Sequence, residues 1–346
     1  MAAGVSLPVL LLMVSTVVEC ASGVGGLQLT PLGPGWRFQA SSHSPSSLKP
    51  PIVRAAFGGA WDEELRVAAE LALEAGAAIS AAIAERDKIM ELKDEASVDP
   101  VTATDKANEQ LIADGLRRAF PSHAVLGEEE ASSGGGEGDG HDRKRVPAEG
   151  PCWCIDPVDG TTNFVHGLGL VCVSIGLCVD GEPVAAVVFN PISKDLFFAQ
   201  KGRGAFLNGR RLPSLSGRPP VPLRSALVVQ EMGYARDAAA VRAIHAAGEA
   251  VVAAGVRGVR QLGSGVLDLC FVACGRADAC FAGVAGEGWW PWDHCAGSLL
   301  VTEAGGVLRT IEEGGGIFTV NSRSILCASS EELADELAAA IASSRS

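Results

Sequence analysis

This chain has no basic excess, no apolar run at its N terminus long enough for a membrane, and no recurring cysteine or histidine rhythm. Each absence closes off a class of function. Lys and Arg number 28 against 41 Asp and Glu, a net charge of −13. That sign argues against nucleic acid or an anionic membrane as a partner. The run Leu7–Val18 is too short to cross a bilayer, so no stable span is expected there. The ten cysteines follow neither a disulfide framework nor a zinc site. Cys152 and Cys154 at strand spacing, and Cys270 and Cys274 at helix spacing, lie in apolar runs and read as buried free thiols. None of the six histidines is paired at metal-ligand spacing; His166 and His294 merely flank acidic motifs. With no Gly-x-Ser-x-Gly elbow and no Ser-His-Asp order, covalent hydrolase chemistry loses support. There is no internal repeat either.

What is present is an ordinary globular composition, 47% apolar and 20% charged, enough for a sizeable core. Residues 1–22 read as a signal peptide, with small residues Cys20, Ala21 and Ser22 after the apolar run, although no Lys or Arg precedes it. Residues 23–56 are rich in Gly, Pro and Ser and carry Arg37, Lys49 and Arg54 but no acid, as in a linker or transit segment. Together they suit a two-part address to a plastid of secondary origin. Simple secretion is the alternative, and a mispredicted start codon would leave the protein cytoplasmic. The catalytic domain is placed at 57–346, with a Gly- and charge-rich flexible insertion at 133–149.

The most informative stretch is Trp153-Cys154-Ile155-Asp156-Pro157-Val158-Asp159-Gly160-Thr161-Thr162-Asn163-Phe164. Cys152–Ile155 is strand-like, and Pro157 predicts a turn that ends it. Such a turn can aim Asp156, Asp159 and a carbonyl such as that of Val158 at one point. Carboxylates and carbonyls are the ligands Mg²⁺ prefers. Gly160 and Thr161 then open a helix whose free N–H groups attract an anion. Read alone, the same residues also suit a simple Asp-Gly turn with Asp156 as a cap.

Three further segments bear on that choice. Val101-Thr102-Ala103-Thr104-Asp105 precedes a predicted helix over 104–120, and Leu126-Gly127-Glu128-Glu129-Glu130 follows a short apolar run. Downstream, Trp292-Asp293-His294-Cys295-Ala296-Gly297 opens a small-residue helix, with Asp293 as its predicted N-cap. Elsewhere Asp62–Ile89 shows a helical apolar stripe. Val171–Gln200 reads as an antiparallel meander with turns at Asp180-Gly181 and Asn190-Pro191. Strand and helix patterns alternate after the Pro-rich joint 213–222.

Taken together, the four segments resemble the inositol monophosphatase family of Mg²⁺-dependent, lithium-sensitive phosphatases. The resemblance runs from about Asp62 to about Ala340. It implies an α/β (α+β) fold, the layered αβαβα sandwich of the inositol monophosphatase and fructose-1,6-bisphosphatase type. It also implies a homodimer and two or three Mg²⁺ ions held by Glu128, Asp156, the Val158 carbonyl, Asp159 and Asp293. Catalysis would fall to Glu128, Thr161 and Asp105, with a Thr161–Asp105 dyad orienting a metal-activated water for direct hydrolysis of a phosphate monoester. Gly160 and Thr161 would hold the phosphate through their N–H groups, Gly263, Ser264 and Gly265 would touch the alcohol, and Asp159 and Asp293 would also bind the substrate. Lys93 approximately matches a family lysine. The acid that holds inositol hydroxyls in the family is missing at Ala282, and Glu287 is the candidate replacement. Inositol monophosphate is the first substrate. A sugar phosphate, histidinol phosphate, fructose bisphosphate or a 3′-phosphoadenosine nucleotide is the alternative, as is a non-catalytic metal- or phosphate-binding scaffold.

Overall fold

The computed structural model describes residues 50–84, 103–133, 144–286, 288–311 and 316–345. The leader, Lys93, residues 134–143 of the insertion and Glu287 lie outside them. Helix α1 (Asp62–Ala84) opens on Asp62, Glu63 and Glu64, acids that suit the positive end of a helix dipole. By length and composition α1 could cross a membrane. Instead Leu65, Ala68, Ala72, Ala75 and Ile79 form a buried stripe within the protein core. Helix α2 (Ala103–Ala119) packs beside it through Ile112 and Leu116.

Strand β1 (Ala124–Gly127) and a short α3 (Glu128–Ser133) come next, followed by β2 (Pro151–Asp159) and a short α4 (Thr161–His166). The predicted meander then appears as β3 (Cys172–Val179), β4 (Glu182–Asn190), β5 (Asp195–Gln200), β6 (Gly204–Leu207) and β7 (Arg210–Arg211). Asp180 and Gly181 both have positive φ, as do Asn208 and Gly209, and these pairs make the two-residue turns between β3 and β4 and between β6 and β7. The first sheet runs in the order β1 to β7, with β1 parallel to β2 and the rest antiparallel.

The second half alternates strands and helices: β8 (Leu227–Gln230), α5 (Ala238–Ala253), β9 (Gly258–Arg260), α6 (Gly265–Cys274), β10 (Ala279–Ala282) and α7 (Pro291–Glu303). β11 (Val307–Arg309), β12 (Ile325–Ala328) and α8 (Glu331–Ser343) complete it. These strands form a second sheet, ordered β11-β12-β10-β8-β9.

Five layers result. α1 and α2 cover one face of the first sheet, and α6 and α7 lie between the two sheets. α5 and α8 close the outer face of the second. The alternation of side chains along β4 makes this visible: Val187 joins the core under α1, and its neighbour Val188 joins the central core around Leu269 and Leu300. Along β2, Trp153 and Ile155 join the core on the α2 side, while Cys152 and Cys154 face α7. Each large apolar side chain buried this way contributes about 1.5–3 kcal/mol.

Two local expectations are corrected. Pro157 does not end the strand, which continues to Asp159. Asp293 is not the N-cap of α7: the helix begins at Pro291 with Trp290 as N-cap, because Pro at the first helical position is already set for helical φ. The segment expected to be flexible at 133–149 is described at Lys144–Glu149, where Val146 is buried at 3% exposure. Its N–H and carbonyl both bond the Asn321 amide. That end therefore packs on the body.

Candidate active site

The site is built around an irregularity in β2. Asp156 lies opposite Ser174 of β3, and Asp159 opposite Cys172, so three steps on β2 match two on its partner. Residues three apart on a regular strand face opposite sides of the sheet; the bulge returns Asp159 to the side of Asp156. Pro157 sits inside it, where a missing N–H is tolerated. The Val158 N–H bonds Asp156 Oδ1 at 3.1 Å. Gly160 follows at φ 85° and turns the chain into α4.

The third acid arrives from α7. Asp293 is the third helical residue, and its Oδ2 accepts the Trp290 N–H at 2.6 Å, which fixes the carboxylate at the helix start. Asp156, Asp159 and Asp293 each offer a carboxylate oxygen within 4.8 Å of the other two. Glu128, at the start of α3, and Asp105, in the first turn of α2, complete the acidic group around Asp156. Burial pushes the Asp156 carboxyl well above the usual range, and the charges of Glu128, Asp159, Asp293 and Asp105 push it further. Burial likewise raises Asp159 to about 6, although bonds from Ser264, Cys172 and the Val266 N–H act to lower it. A buried cluster of like-charged hard oxygens is stable only with protons or cations among them, and the donor set fits Mg²⁺.

Several expected contacts differ in detail. The Thr161 hydroxyl donates to the Val158 carbonyl at 3.1 Å rather than to Asp105. Ser264 is buried, and its hydroxyl donates to Asp159 Oδ2. It therefore supports an acid. Gly265 begins α6 against the Trp289 ring. Ala282, at the end of β10, is buried. Glu287 lies outside the described residues.

Three supporting residues escaped the sequence reading. Glu109 is buried and accepts the N–H groups of Glu129 and Glu130, each at 2.7 Å, which anchors the start of α3. Its signal was its position one turn after Asp105 on the same helix face. The Asn163 amide donates to the carbonyls of Leu170 at 2.9 Å and Leu262 at 2.7 Å, joining the central motif to the 261–264 loop. Glu231 accepts the Leu262 and Gly263 N–H groups at 2.8 and 2.9 Å and holds that loop from the other side.

Residues 60–346 match the sequence profile of the Inositol monophosphatase family. Inositol monophosphatase 2 of Solanum lycopersicum is 44% identical over 228 residues, 66% of this chain and 80% of that protein. Inositol monophosphatase 2 of Homo sapiens is 38% identical over 283 residues, 82% of this chain and 92% of that protein. Among solved structures, inositol monophosphatase from Anabaena superposes with a TM-score of 0.64 at 30% identity, covering 82% of this chain and 97% of that one. The extragenic suppressor protein suhB from Bartonella henselae gives 0.65 at 29% identity, covering 81% and 98%. With the profile spanning most of the chain and the layered fold in place, this protein belongs to the inositol monophosphatase family.

Proposed function

We propose that the chain is a Mg²⁺-dependent phosphatase that hydrolyses inositol monophosphate to inositol and phosphate. The observation that carries this reading is the convergence of Asp156, Asp159 and Asp293 to within 4.8 Å in a family-typical scaffold. With Glu128 and the Val158 carbonyl, these acids would hold the cations. Bound Mg²⁺ supplies charge neutralisation at the phosphoryl oxygens and a lowered pKa for water.

The remaining work falls to the chain. The Thr161 hydroxyl donates its hydrogen bond to the Val158 carbonyl, so its own oxygen is left to accept a hydrogen bond from the attacking water. Glu128 and Asp105 are carboxylates whose charges act on Asp156, and either can take up a proton from that water. Gly160 and Thr161, as N-cap and first residue of α4, present N–H groups with no acceptor inside the helix, which suits a phosphate oxygen. Asp159 and Asp293 would hold the cations beside the phosphate.

Phosphate release from inositol monophosphate, measured with Mg²⁺ and with EDTA, tests the reading. Release that depends on Mg²⁺ and is faster than from sugar phosphates or 3′-phosphoadenosine nucleotides is the expected result. Full activity in EDTA would sink the metal role, and preference for another phosphate would sink the substrate.

A further inference from the structure

Three thiols meet, two of them on the strand and helix that carry Asp156 and Asp293. Cys154 of β2, Cys178 of β3 and Cys295 of α7 each place Sγ within 4.8 Å of the other two, and Cys178 Sγ lies 3.3 Å from Cys295 Sγ. All three are fully buried. Gly176, the register partner of Cys154, makes the approach possible, since a Cβ there would come to 2.5 Å from Cys295 Sγ. The surrounding wall is apolar, formed by Leu126, Val146, Trp292 and Val320. Cys152, next on the same face of β2, donates to the Trp153 carbonyl at 3.7 Å.

We propose that Cys154, Cys178 and Cys295 form a binding site for one soft monovalent cation of the Cu⁺ type. Thiolate sulfurs in a dry apolar pocket select soft ions over the hard cations suited to the neighbouring carboxylates. A structural zinc site takes four ligands, whereas three sulfurs converge here. On binding, three S–Cu bonds form and the thiols still protonated release their protons to water; no electron changes hands. The site is also coupled to the acids. Cys154 precedes Asp156 by two residues, and Cys295 follows Asp293 by two. A cation that tightens the three sulfurs therefore pulls on both segments that carry carboxylates. The site itself does not depend on the phosphatase reading.

The test is anaerobic titration of the purified chain with Cu⁺ held by a chromophoric chelator, followed by X-ray absorption on the loaded protein. The chain is expected to withdraw one Cu⁺ with three sulfur neighbours. Cys178→Ser and Cys154→Ala should each bind at least a hundredfold more weakly, while Cys274→Ser, on the half-buried end of α6, should bind as wild type does. Failure to compete with the chelator, equal uptake by the Cys178 and Cys154 variants, or two sulfur neighbours in place of three would overturn the proposal. The sulfur count is read on wild-type protein, so it decides the matter even where a variant does not fold.

Discussion

Ser264 donates its hydroxyl hydrogen to Oδ2 of Asp159, a residue 105 positions earlier. The same oxygen accepts the Val266 N–H at 3.2 Å and faces the Cys172 thiol at 3.5 Å. With Oδ2 engaged by the protein, Oδ1 is the atom left for a cation, and the carboxylate cannot rotate away. This is how a position expected to touch substrate instead sets the geometry of a ligand.

Ser264→Ala should therefore weaken cation binding more than turnover. A hydrogen bond to a charged group is worth about 1.5–3 kcal/mol, which corresponds to roughly a tenfold to hundredfold rise in the Mg²⁺ concentration for half-maximal activity. Turnover at saturating Mg²⁺ should stay within a few-fold of wild type. An unchanged Mg²⁺ dependence, with KM for the phosphate ester raised instead, would return Ser264 to the substrate.

The raised carboxyls make stability depend on pH in a direction opposite to the usual one. Asp159 binds its proton more tightly in the folded state, at about 6 against an ordinary 3.8, and Asp156 shifts the same way. The folded protein thus holds more protons than the unfolded chain across that window, and stability falls as pH rises through it. In EDTA the Tm should be highest near pH 4 and decline towards pH 6 and above, and Mg²⁺ should abolish the decline. Asp156→Asn removes one buried charge, so in EDTA at pH 7 it should melt no lower than wild type while losing activity by orders of magnitude. A Tm in EDTA that rises between pH 4 and 6 would contradict the burial-driven shifts.

How much of this was legible in the sequence depends on what each residue does. The acids Asp156, Asp159 and Asp293 were readable because metal chemistry demands that residue type, and the turn at Asp180-Gly181 because positive φ demands its residues. The bulge at Pro157 was not: one extra residue on β2 is defined only against β3, and nothing local in the strand records its partner's register. Glu109 and Glu231 were missed for a similar reason. Each acts on backbone N–H groups from other segments, which carry no residue signature. The Thr161 hydroxyl was assigned to Asp105, yet Val158, three residues away, is the acceptor within reach.

Gly127 and Glu109 should prove coupled. A Cβ on Gly127 would come to 2.4 Å from the Glu109 carboxyl carbon, and that carboxylate is held by two N–H groups at the start of α3. Gly127→Ala must displace it, at a cost of about 1–3 kcal/mol, and disturb the neighbouring Glu128. In a double-mutant cycle with Glu109→Ala, which clears the space, the two effects on Tm should sum to more than the double variant shows. Strict additivity would mean that the backbone at Gly127 absorbs the methyl group without involving Glu109.

The end of the 133–149 segment should matter to both stability and the site. Asn321 donates to the Val146 carbonyl at 3.1 Å and accepts the Val146 N–H at 2.8 Å, so Asn321→Ala leaves a backbone donor and acceptor without partners. At about 1–3 kcal/mol for each unpaired group, and roughly 2–4 °C per kcal/mol in a protein this large, a drop of several degrees in Tm is expected. Two replacements by short Gly/Ser linkers separate the parts of the segment. Replacing 134–143, a Gly- and charge-rich sequence with little apolar area to bury, should leave Tm nearly unchanged. Replacing 133–149 also removes Val146 and Lys144, whose Nζ lies 4.8 Å from the centre of the Trp290 ring. Trp290 donates its backbone N–H to Asp293, so this longer replacement should lower Tm and raise the Mg²⁺ requirement together. Identical melting of the two replacements would show that Val146, although buried, adds nothing to the fold.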